Sequence, residues 1–409
     1  MSKTKNQVVD VLVIGAGPSG TVSASILNKK GYSVKIVEKQ LFPRFVIGES
    51  LLPRCMDNLD KAGFIDAISA FGFQKKFGAK FLDNERVSDF DFSAQFTKGW
   101  TWTWQVQRAK FDHLLAKEVE KNGVEVEYES AVTAVQFAED GSSISTVTKK
   151  DGTTYNIEAK FIVDGSGYGR VLPRLLSLDK PSEFMGRTSL FCHVKPKMVY
   201  DEEEKDQILI LVYTNEIWGW VIPFSDGTSS IGVVGHTEGI KRYEGTQEEK
   251  MRQWIQEVPA LKSRFTDSEL IFEPKEITGY ASAVTKHFGK NFVLTGNAAE
   301  FIDPVFSSGV TFATESGALA AELIDKQLSG LPVDWQVEYT DYIQRGVDVF
   351  KTFVSSWYDG KLQKIFFSEQ SNPEMRQQIC SILAGYVWDL DNPFVKKHKR
   401  AVQALAAVL

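Results

Sequence analysis

The sequence predicts an α/β protein that combines a parallel sheet with a second, antiparallel-sheet domain and a C-terminal helical segment. Three observations predict this fold class. The first forty residues alternate strand, glycine-rich turn, helix and strand, which is typical of a parallel βαβ unit. Residues 184–280 carry long strands of alternating polarity. Residues 331–409 have helical spacing and many aromatic side chains.

The amino-terminal elements follow from local patterns. Val8–Ile14 is an apolar run of the length of a central parallel strand, buried on both faces. Pro18–Lys30 has helical spacing, and Ser33–Val37 is predicted to be the next strand, ending in Glu38. Arg108–Asn122 has apolar residues on one face and is predicted to be an amphipathic helix.

The middle of the chain is predicted to be mostly strands. Residues 124–137, 143–149 and 153–158 alternate in polarity and are separated by hairpin turns, and Lys160–Val163 is predicted to be a separate strand. The later predicted elements are the strands Gln207–Thr214, Ile217–Phe224 and Ser229–Val234, the helix Thr246–Glu257, the strand Asn291–Thr295 and the helix Gly309–Leu328.

Composition excludes several classes of protein. The 409 residues are 43% hydrophobic and 24% charged, as in ordinary globular proteins. The net charge of −6 argues against a nucleic-acid partner. The first apolar run is too short to span a membrane, so we expect no integral membrane span. Cys55, Cys192 and Cys380 have neither disulfide nor metal spacing, which predicts no metal site and a cytoplasmic protein.

A glycine-rich motif predicts a Rossmann-like dinucleotide site. It follows the first strand, opens the first helix and is answered by an acidic residue at the end of the second strand. Glycines permit a tight turn against a pyrophosphate, the helix N-terminus offers free N–H groups, and a carboxylate accepts ribose hydroxyls. The predicted binding residues are Gly15, Gly17, Pro18, Ser19, Gly20, Glu38 and Lys39.

Two further glycine-rich strand ends favour FAD over NAD as the cofactor. Asp164-Gly165 follows the strand near residue 163, and Gly296-Asn297 follows the strand near residue 294. Across residues 8–330 the chain resembles the p-hydroxybenzoate-hydroxylase and geranylgeranyl-reductase type of FAD oxidoreductase. That family usually has an aspartate where this chain has Asn297, which can still accept a ribityl hydroxyl proton.

Within that superfamily the chain resembles the flavin-dependent halogenases. The resemblance lies in Phe42–Pro53, in the Trp-Gly-Trp-Val-Ile-Pro run of residues 218–223, and in the Phe-Ile-Asp-Pro-Val-Phe-Ser-Ser-Gly run of residues 301–309. It implies further FAD-binding residues at Arg44, Ser50, Arg108, Val132, Pro304, Ser307, Gly309 and Val310. It also implies that Trp218, Trp220 and Pro223 face the substrate, although the two tryptophans equally fit ordinary strand packing.

The resemblance places the catalytic lysine of halogenases at Lys76. A desolvated lysine can bind hypohalous acid by a hydrogen bond or form a haloamine. Lys75 is the alternative if the alignment is displaced by one residue, and both fit surface lysines on a strand edge.

The resemblance also implies a division of the chain. Residues 1–180 and 286–330 are expected to form the FAD-binding domain, with 76–106 reaching into the substrate side. Residues 181–285 are expected to form the β-sheet substrate domain, and 331–409 the C-terminal helical segment.

The function that the resemblance implies is halogenation of an electron-rich aromatic or pyrrole. The reaction uses reduced FAD from a separate flavin reductase, O₂ and a halide ion. The aromatic residues suit a small aromatic or lipophilic substrate, free or tethered to a carrier. The alternatives are a flavin-dependent monooxygenase and a geranylgeranyl-reductase-like dehydrogenase, and a flavin-binding protein without turnover is a third.

Overall fold

The strands of the computed structural model form two large sheets and two short pairs. The structure describes residues 7–184, 186–197, 200–370 and 372–409. The strands in chain order are β1 (Gln7–Ile14), β2 (Val34–Val37), β3 (Gln74–Lys76), β4 (Gly78–Asp83), β5 (Arg86–Asp91), β6 (Thr103–Gln105), β7 (Glu125–Glu127), β8 (Ser130–Phe137), β9 (Ser143–Lys149), β10 (Thr154–Asp164), β11 (Asp179–Lys180), β12 (Arg187–Lys195), β13 (Gln207–Val212), β14 (Trp218–Pro223), β15 (Ser229–His236), β16 (Glu269–Leu270), β17 (Lys275–Thr278), β18 (Ala283–Val284), β19 (Phe288–Gly289) and β20 (Phe292–Leu294).

The helices lie between the strands up to β20, and the chain after β20 is mainly helical. In chain order they are α1 (Pro18–Lys29), α2 (Cys55–Ala62), α3 (Ile65–Phe71), α4 (Arg108–Lys121), α5 (Val171–Leu175), α6 (Glu202–Lys205), α7 (Thr237–Ile240), α8 (Gln247–Glu257), α9 (Pro259–Phe265), α10 (Gly309–Leu328), α11 (Tyr342–Tyr358), α12 (Lys361–Phe366), α13 (Pro373–Leu383), α14 (Pro393–Lys396) and α15 (His398–Val408). None of these helices is long and apolar enough to cross a membrane.

The first large sheet has the strand order β19-β20-β10-β1-β2-β7, and β20, β10, β1, β2 and β7 run parallel. The chain leaves β1 toward β2 on one side and later returns as β10 on the other. A crevice therefore opens beyond the carboxyl end of β1, where ligands bind in open α/β sheets. Two predictions were wrong here. Residues 124–137 are two strands, because β7 pairs in parallel with β2 whereas β8 pairs with β9. Residues 153–158 and 160–163 are a single strand, β10, whose first half pairs with β9 and whose second half pairs with β1.

The second large sheet has the order β16-β12-β15-β14-β13-β4-β5, with β17 pairing beside β12. It is antiparallel apart from the β4–β13 pair, which is parallel. Strands β4 and β5 come from the stretch between α3 and β6, so residues 78–91 join the sheet formed by residues 187–278. One face of this sheet lies on the core shared with the parallel sheet, and the other packs on α8 and α9.

The C-terminal helices complete the largest hydrophobic cluster. Phe350, Phe353 and Trp357 of α11 and Phe366 of α12 are buried against the two sheets and α10. The parallel and antiparallel sheets and the helical C-terminus agree with the fold class that the sequence predicts.

Candidate active site

A cavity of about 530 Å³ lies at the carboxyl ends of β1 and β10 and extends to the inner face of the second sheet. Many residues singled out from the sequence line it. They are Gly15, Gly17, Pro18, Ser19, Glu38, Lys39, Arg44, Ser50, Arg108, Gly165, Trp218, Trp220, Gly296, Asn297, Pro304, Ser307, Gly309 and Val310. Five other predicted site residues are not among the described residues that line the cavity: Gly20, Lys76, Val132, Asp164 and Pro223.

The glycine-rich turn brings two loops together at the floor of the cavity. Gly15 has φ +94°, and a Cβ atom there would lie 2.7 Å from the carbonyl oxygen of Gly165. Gly17 precedes α1, and a Cβ there would meet only Arg44, at 3.7 Å. Gly20 packs the helix on the turn instead, because a Cβ there would lie 2.0 Å from the Gly15 carbonyl. The open space at Gly17 and the free N–H groups of α1 suit a pyrophosphate.

Glu38 is buried at the end of β2, at one end of the cavity. One carboxylate oxygen accepts from the backbone N–H of Ala16 and the other from that of Gln40, both at 2.8 Å. Each oxygen keeps a lone pair for a further bond. The carboxylate is thus held in place to accept ribose hydroxyls.

Arg108 is buried at the start of α4 and holds the loop that forms one wall. Its guanidinium donates to the carbonyl oxygens of Ile47 and Gly48 at 3.2 Å and makes two bonds to Asp112. Arg44 donates to the same carboxylate at 2.7 Å. Burial raises the pKa of Asp112, but the two guanidinium groups outweigh burial and leave that pKa below its usual value. Asp112 therefore positions both arginines at the cavity.

The loop after β20 closes the cavity from the other side. Gly296 has φ +55° and its N–H donates to the hydroxyl of Ser316 on α10. Arg170 donates to the backbone carbonyls of Asn297 and Ala298, which holds this loop in place. Asp164 caps the neighbouring turn, accepting from the N–H groups of Ser166 and Leu172.

The segment before α10 presents a helix N-terminus to the cavity. Ser307 adopts φ +56° and α10 begins at Gly309, where a Cβ atom would lie 3.2 Å from the ring of Phe301. The first N–H groups of this twenty-residue helix have no partner within it. This positive end of the helix favours a negative charge nearby.

The second sheet supplies an apolar wall formed mainly by Phe191, Ile208, Ile210, Trp218, Trp220 and Ile222. The indole N–H of Trp220 donates to Ser230 at 3.0 Å. The indole N–H of Trp218 donates at 2.8 Å to the hydroxyl of Tyr358, the last residue of α11. The C-terminal helices thus fix the orientation of Trp218.

A buried carboxyl group continues this chain of hydrogen bonds. The hydroxyl of Tyr358 donates to Asp303 at 3.0 Å, and the guanidinium of Arg187 lies 3.2 Å from the centre of the Tyr358 ring. Burial raises the pKa of Asp303 to about 6, against the opposing effect of Arg187. The segment that precedes α10, the tryptophan wall and the C-terminal helices therefore form one connected unit.

Lys76 is only 1% exposed and lies behind the cavity wall. Its amine donates to the carbonyl oxygen of Leu51 at 2.9 Å and lies 5.3 Å from the centre of the Phe92 ring. Desolvation lowers the pKa of Lys76 to about 7. Strand β6 lies between β3, which carries Lys76, and the segment that contains Ser50 and Leu51.

Several polar residues of the cavity wall escaped sequence reasoning, among them Glu49, Tyr168 and Tyr280. Glu49 lies within a segment that the sequence had singled out, but its spacing revealed no role. Tyr168 and Tyr280 pack on Phe301 from two sides, with ring centres 5.7 and 5.9 Å away. Tyr168 follows the glycine-rich turn after β10, whereas no local motif marks Tyr280, which a distant segment brings to the wall.

The lining fits FAD. The cavity joins an open glycine turn, a buried carboxylate that can accept ribose hydroxyls and a second helix N-terminus, which are features that suit an FAD molecule. The hydroxyl of Ser50 is buried on this wall and has no hydrogen-bond partner among the described residues. Such a group is expected to bond to a bound molecule.

Comparison with known proteins extends this description. The FAD binding domain family matches residues 8–331. A 1H-pyrrole-2-carbonyl peptidyl-carrier-protein chlorinase of Pseudomonas fluorescens is 30% identical over 406 residues, which cover 93% of this chain and 89% of the relative. The solved structure of a flavoprotein/dehydrogenase from Cytophaga hutchinsonii is 52% identical and has a TM-score of 0.96, with 98% of each chain covered. The flavin-dependent brominase Bmp2 is 26% identical and has a TM-score of 0.85, covering 98% of this chain and 100% of the brominase.

Proposed function

This chain belongs to the FAD binding domain family as a flavin-dependent halogenase-like member with FAD as its cofactor, and we propose that it halogenates a small electron-rich aromatic or pyrrole. The co-substrates are O₂ and a halide ion, and a separate flavin reductase supplies the reduced flavin. The observation that carries the proposal is the desolvated amine of Lys76, bonded to Leu51 directly beyond the cavity-lining Ser50.

FAD, when bound, supplies the two-electron reduction of O₂ that converts halide and a proton into hypohalous acid and water. The residues of this chain hold and shield that cofactor. Glu38 would accept the ribose hydroxyls, Arg108 fixes the wall at Ile47 and Gly48, and the positive end of α10 would stabilise negative charge on a reduced flavin. The Trp218 wall keeps the organic substrate away from the flavin side of the cavity.

Lys76 then binds the hypohalous acid. With a pKa of about 7, its ammonium and amine forms are both populated at neutral pH. The ammonium form binds hypohalous acid by a hydrogen bond. The amine form exchanges one N–H for an N–halogen bond and releases water. Either form delivers an electrophilic halogen to an electron-rich carbon, which loses a proton.

The substrate is proposed to be a pyrrole or phenol, free or tethered to a carrier protein. The support is the chlorinase relative, whose name specifies a pyrrole carried by a peptidyl-carrier protein.

The three cysteines are buried and free, which supports a reducing cytoplasmic setting.

One observation favours a second candidate function. Lys76 does not line the cavity in the described part of the chain, so halogenation needs a path to open past β6. A flavin-dependent monooxygenase or a geranylgeranyl-reductase-like dehydrogenase needs no such lysine. The 52%-identical structure from Cytophaga hutchinsonii is described as a flavoprotein/dehydrogenase.

Single-turnover product analysis tests the proposal. The FAD-loaded protein is reduced without oxygen, then mixed with O₂, bromide or chloride, and a phenol or pyrrole probe. Lys76→Met removes the amine at similar volume, and Lys75→Met is the matched control because Lys75 is exposed and lies 4.9 Å over the Trp102 ring. FAD absorbance and thermal melting verify that each variant is folded and loaded.

We expect a halogenated product, identified by its isotope pattern, from the wild type and Lys75→Met. Lys76→Met should yield at least about a hundredfold less, as when a positioned proton donor is lost. A hydroxylated or reduced product without halogen, or undiminished halogenation by Lys76→Met, would contradict the proposal.

A further inference from the structure

A buried Glu–His pair stands at the cavity wall, outside the groups used above. Glu49 is 2% exposed and lines the cavity, between Gly48 and Ser50. Its Oε1 atom lies 2.6 Å from Nε2 of His193. Its other oxygen, Oε2, is buried and has no hydrogen-bond partner among the residues that the structure describes.

The position of His193 links this carboxyl group to the outside. His193 lies on β12, two residues beyond Phe191 and four beyond Ser189, both of which line the cavity. Side chains two apart on a strand share a face, so His193 points to the same side. It does not line the cavity in the described part of the chain, yet it is 8% exposed. Its side chain therefore bonds to Glu49 and keeps a small exposed surface, 11% of its area.

Packing holds the pair in one geometry. The rings of Phe45, Phe224 and Phe272 surround the imidazole, with centres 5.8, 5.1 and 4.9 Å away. The backbone carbonyl of Glu49 accepts from the N–H of Val106 at 2.7 Å, which fixes the start of its side chain.

Two cations face the pair. Arg108 of α4 interacts electrostatically with Glu49, and its own charge is shared with Asp112, as is that of Arg44. Lys275 of β17 lies over the Phe45 and Phe272 rings at 4.4 and 5.5 Å. A bare buried carboxylate is costly unless it is paired, so an unpaired oxygen at a cavity wall indicates a partner inside the cavity.

We propose that Glu49 and His193 form a proton relay between solvent and the FAD cavity. Imidazolium at His193 gives its Nε2 proton to Oε1 of Glu49, the carboxylic acid so formed turns about its Cγ–Cδ bond, and it then gives that proton to the acceptor in the cavity. His193 then takes a replacement proton from water. No electron moves, and the net change is one proton carried inward. The relay serves the oxidation of anionic reduced FAD by O₂, which consumes one proton to give oxidised FAD and H₂O₂ even without halide.

The relay rests on the FAD part of the proposed function and not on halogenation. Stopped-flow reoxidation of the reduced holoenzyme by O₂ without halide, followed between about pH 5 and pH 8 in H₂O and in D₂O, tests the relay. Glu49→Gln preserves shape, and His193→Gln keeps a polar group while it removes the ring; neither amide can pass a proton. His236→Gln, an exposed histidine at the end of β15, is the control.

We expect wild type and His236→Gln to slow as pH rises and to slow in D₂O. Both relay variants should react about tenfold to a hundredfold more slowly and lose the pH dependence and the isotope effect. Slower variants with an unchanged pH profile and isotope effect would overturn the relay, because they would indicate a structural role alone.

A measurement on the wild type tests the relay even if the variants fail to bind FAD. ¹⁵N NMR of His193, assigned with His193→Gln, is recorded on the oxidised and the anaerobically reduced holoenzyme across the same pH range. We expect the His193 protonation to change when the flavin is reduced. An identical titration in both states overturns the proposal. Halogenation that fails in a protein with an intact relay would refute only the proposed substrate chemistry.

Discussion

Replacing Tyr358 by phenylalanine tests the connection between the C-terminal helices and the cavity. The change removes one buried hydroxyl and leaves the ring beside Arg187. Two hydrogen bonds disappear: the one that Tyr358 accepts from the Trp218 indole at 2.8 Å and the one that it donates to Asp303 at 3.0 Å.

The expected cost depends on pH, because Asp303 titrates. The unpaired Trp218 N–H costs about 1–3 kcal/mol at any pH. Above a pKa of about 6 Asp303 is a carboxylate, and a bond to a charged group is worth about 1.5–3 kcal/mol. At lower pH the bond goes to a neutral acid and is worth about 0.5–1.5 kcal/mol. Tyr358→Phe should therefore lose about 4 kcal/mol at pH 8 and about 1 kcal/mol less near pH 5.

The folding stability of the wild type should also depend on pH through Asp303. Folding raises the pKa of Asp303 from 3.8 to about 6, so the folded state binds this proton more tightly than the unfolded chain. That contribution is complete below the unfolded pKa and is lost as pH rises through the folded one. It amounts to about 3 kcal/mol, at 1.36 kcal/mol per pKa unit.

Urea unfolding followed by tryptophan fluorescence, at a fixed saturating FAD concentration, measures both effects. Tyr386→Phe is the matched control, since its buried hydroxyl donates to the carbonyl of Trp100, which does not titrate. Equal losses for Tyr358→Phe at pH 5 and pH 8 would refute the role assigned to Asp303.

Two further changes test the FAD site. Gly15→Ala should abolish FAD binding, because its Cβ would lie 2.7 Å from the Gly165 carbonyl. Gly31→Ala is the control: Gly31 has a similar φ of +91° and no atom within 4 Å, so this change should cost only about 1 kcal/mol of stability. Equal FAD binding by the two variants, measured by fluorescence titration, would contradict this prediction. Glu38→Gln should weaken FAD binding about tenfold, since it removes one carboxylate acceptor, and unchanged affinity in the same titration would show that the ribose lies elsewhere.

Local patterns predicted most elements of the fold. The helix Gly309–Leu328 and the Thr246–Glu249 capping box are confirmed. Such signals depend on backbone geometry within one or two turns, which a few residues determine. The prediction that β10 is two strands was wrong because local signals do not report pairing. The strand changes its partner from β9 to β1, and this change leaves no local mark on a continuous strand.

The sequence by itself determined the βαβ unit, the glycine turn with Glu38 and the start of α10, since each is a short motif whose backbone must bend or cap in one way. Only the tertiary structure decided which side chains meet. Asp164 caps a turn instead of lining the cavity, and Lys76 lies behind β6. Glu49 meets His193 across 144 positions. These contacts depend on how sheets and helices pack across the whole chain, and spacing along the chain carries no record of that packing.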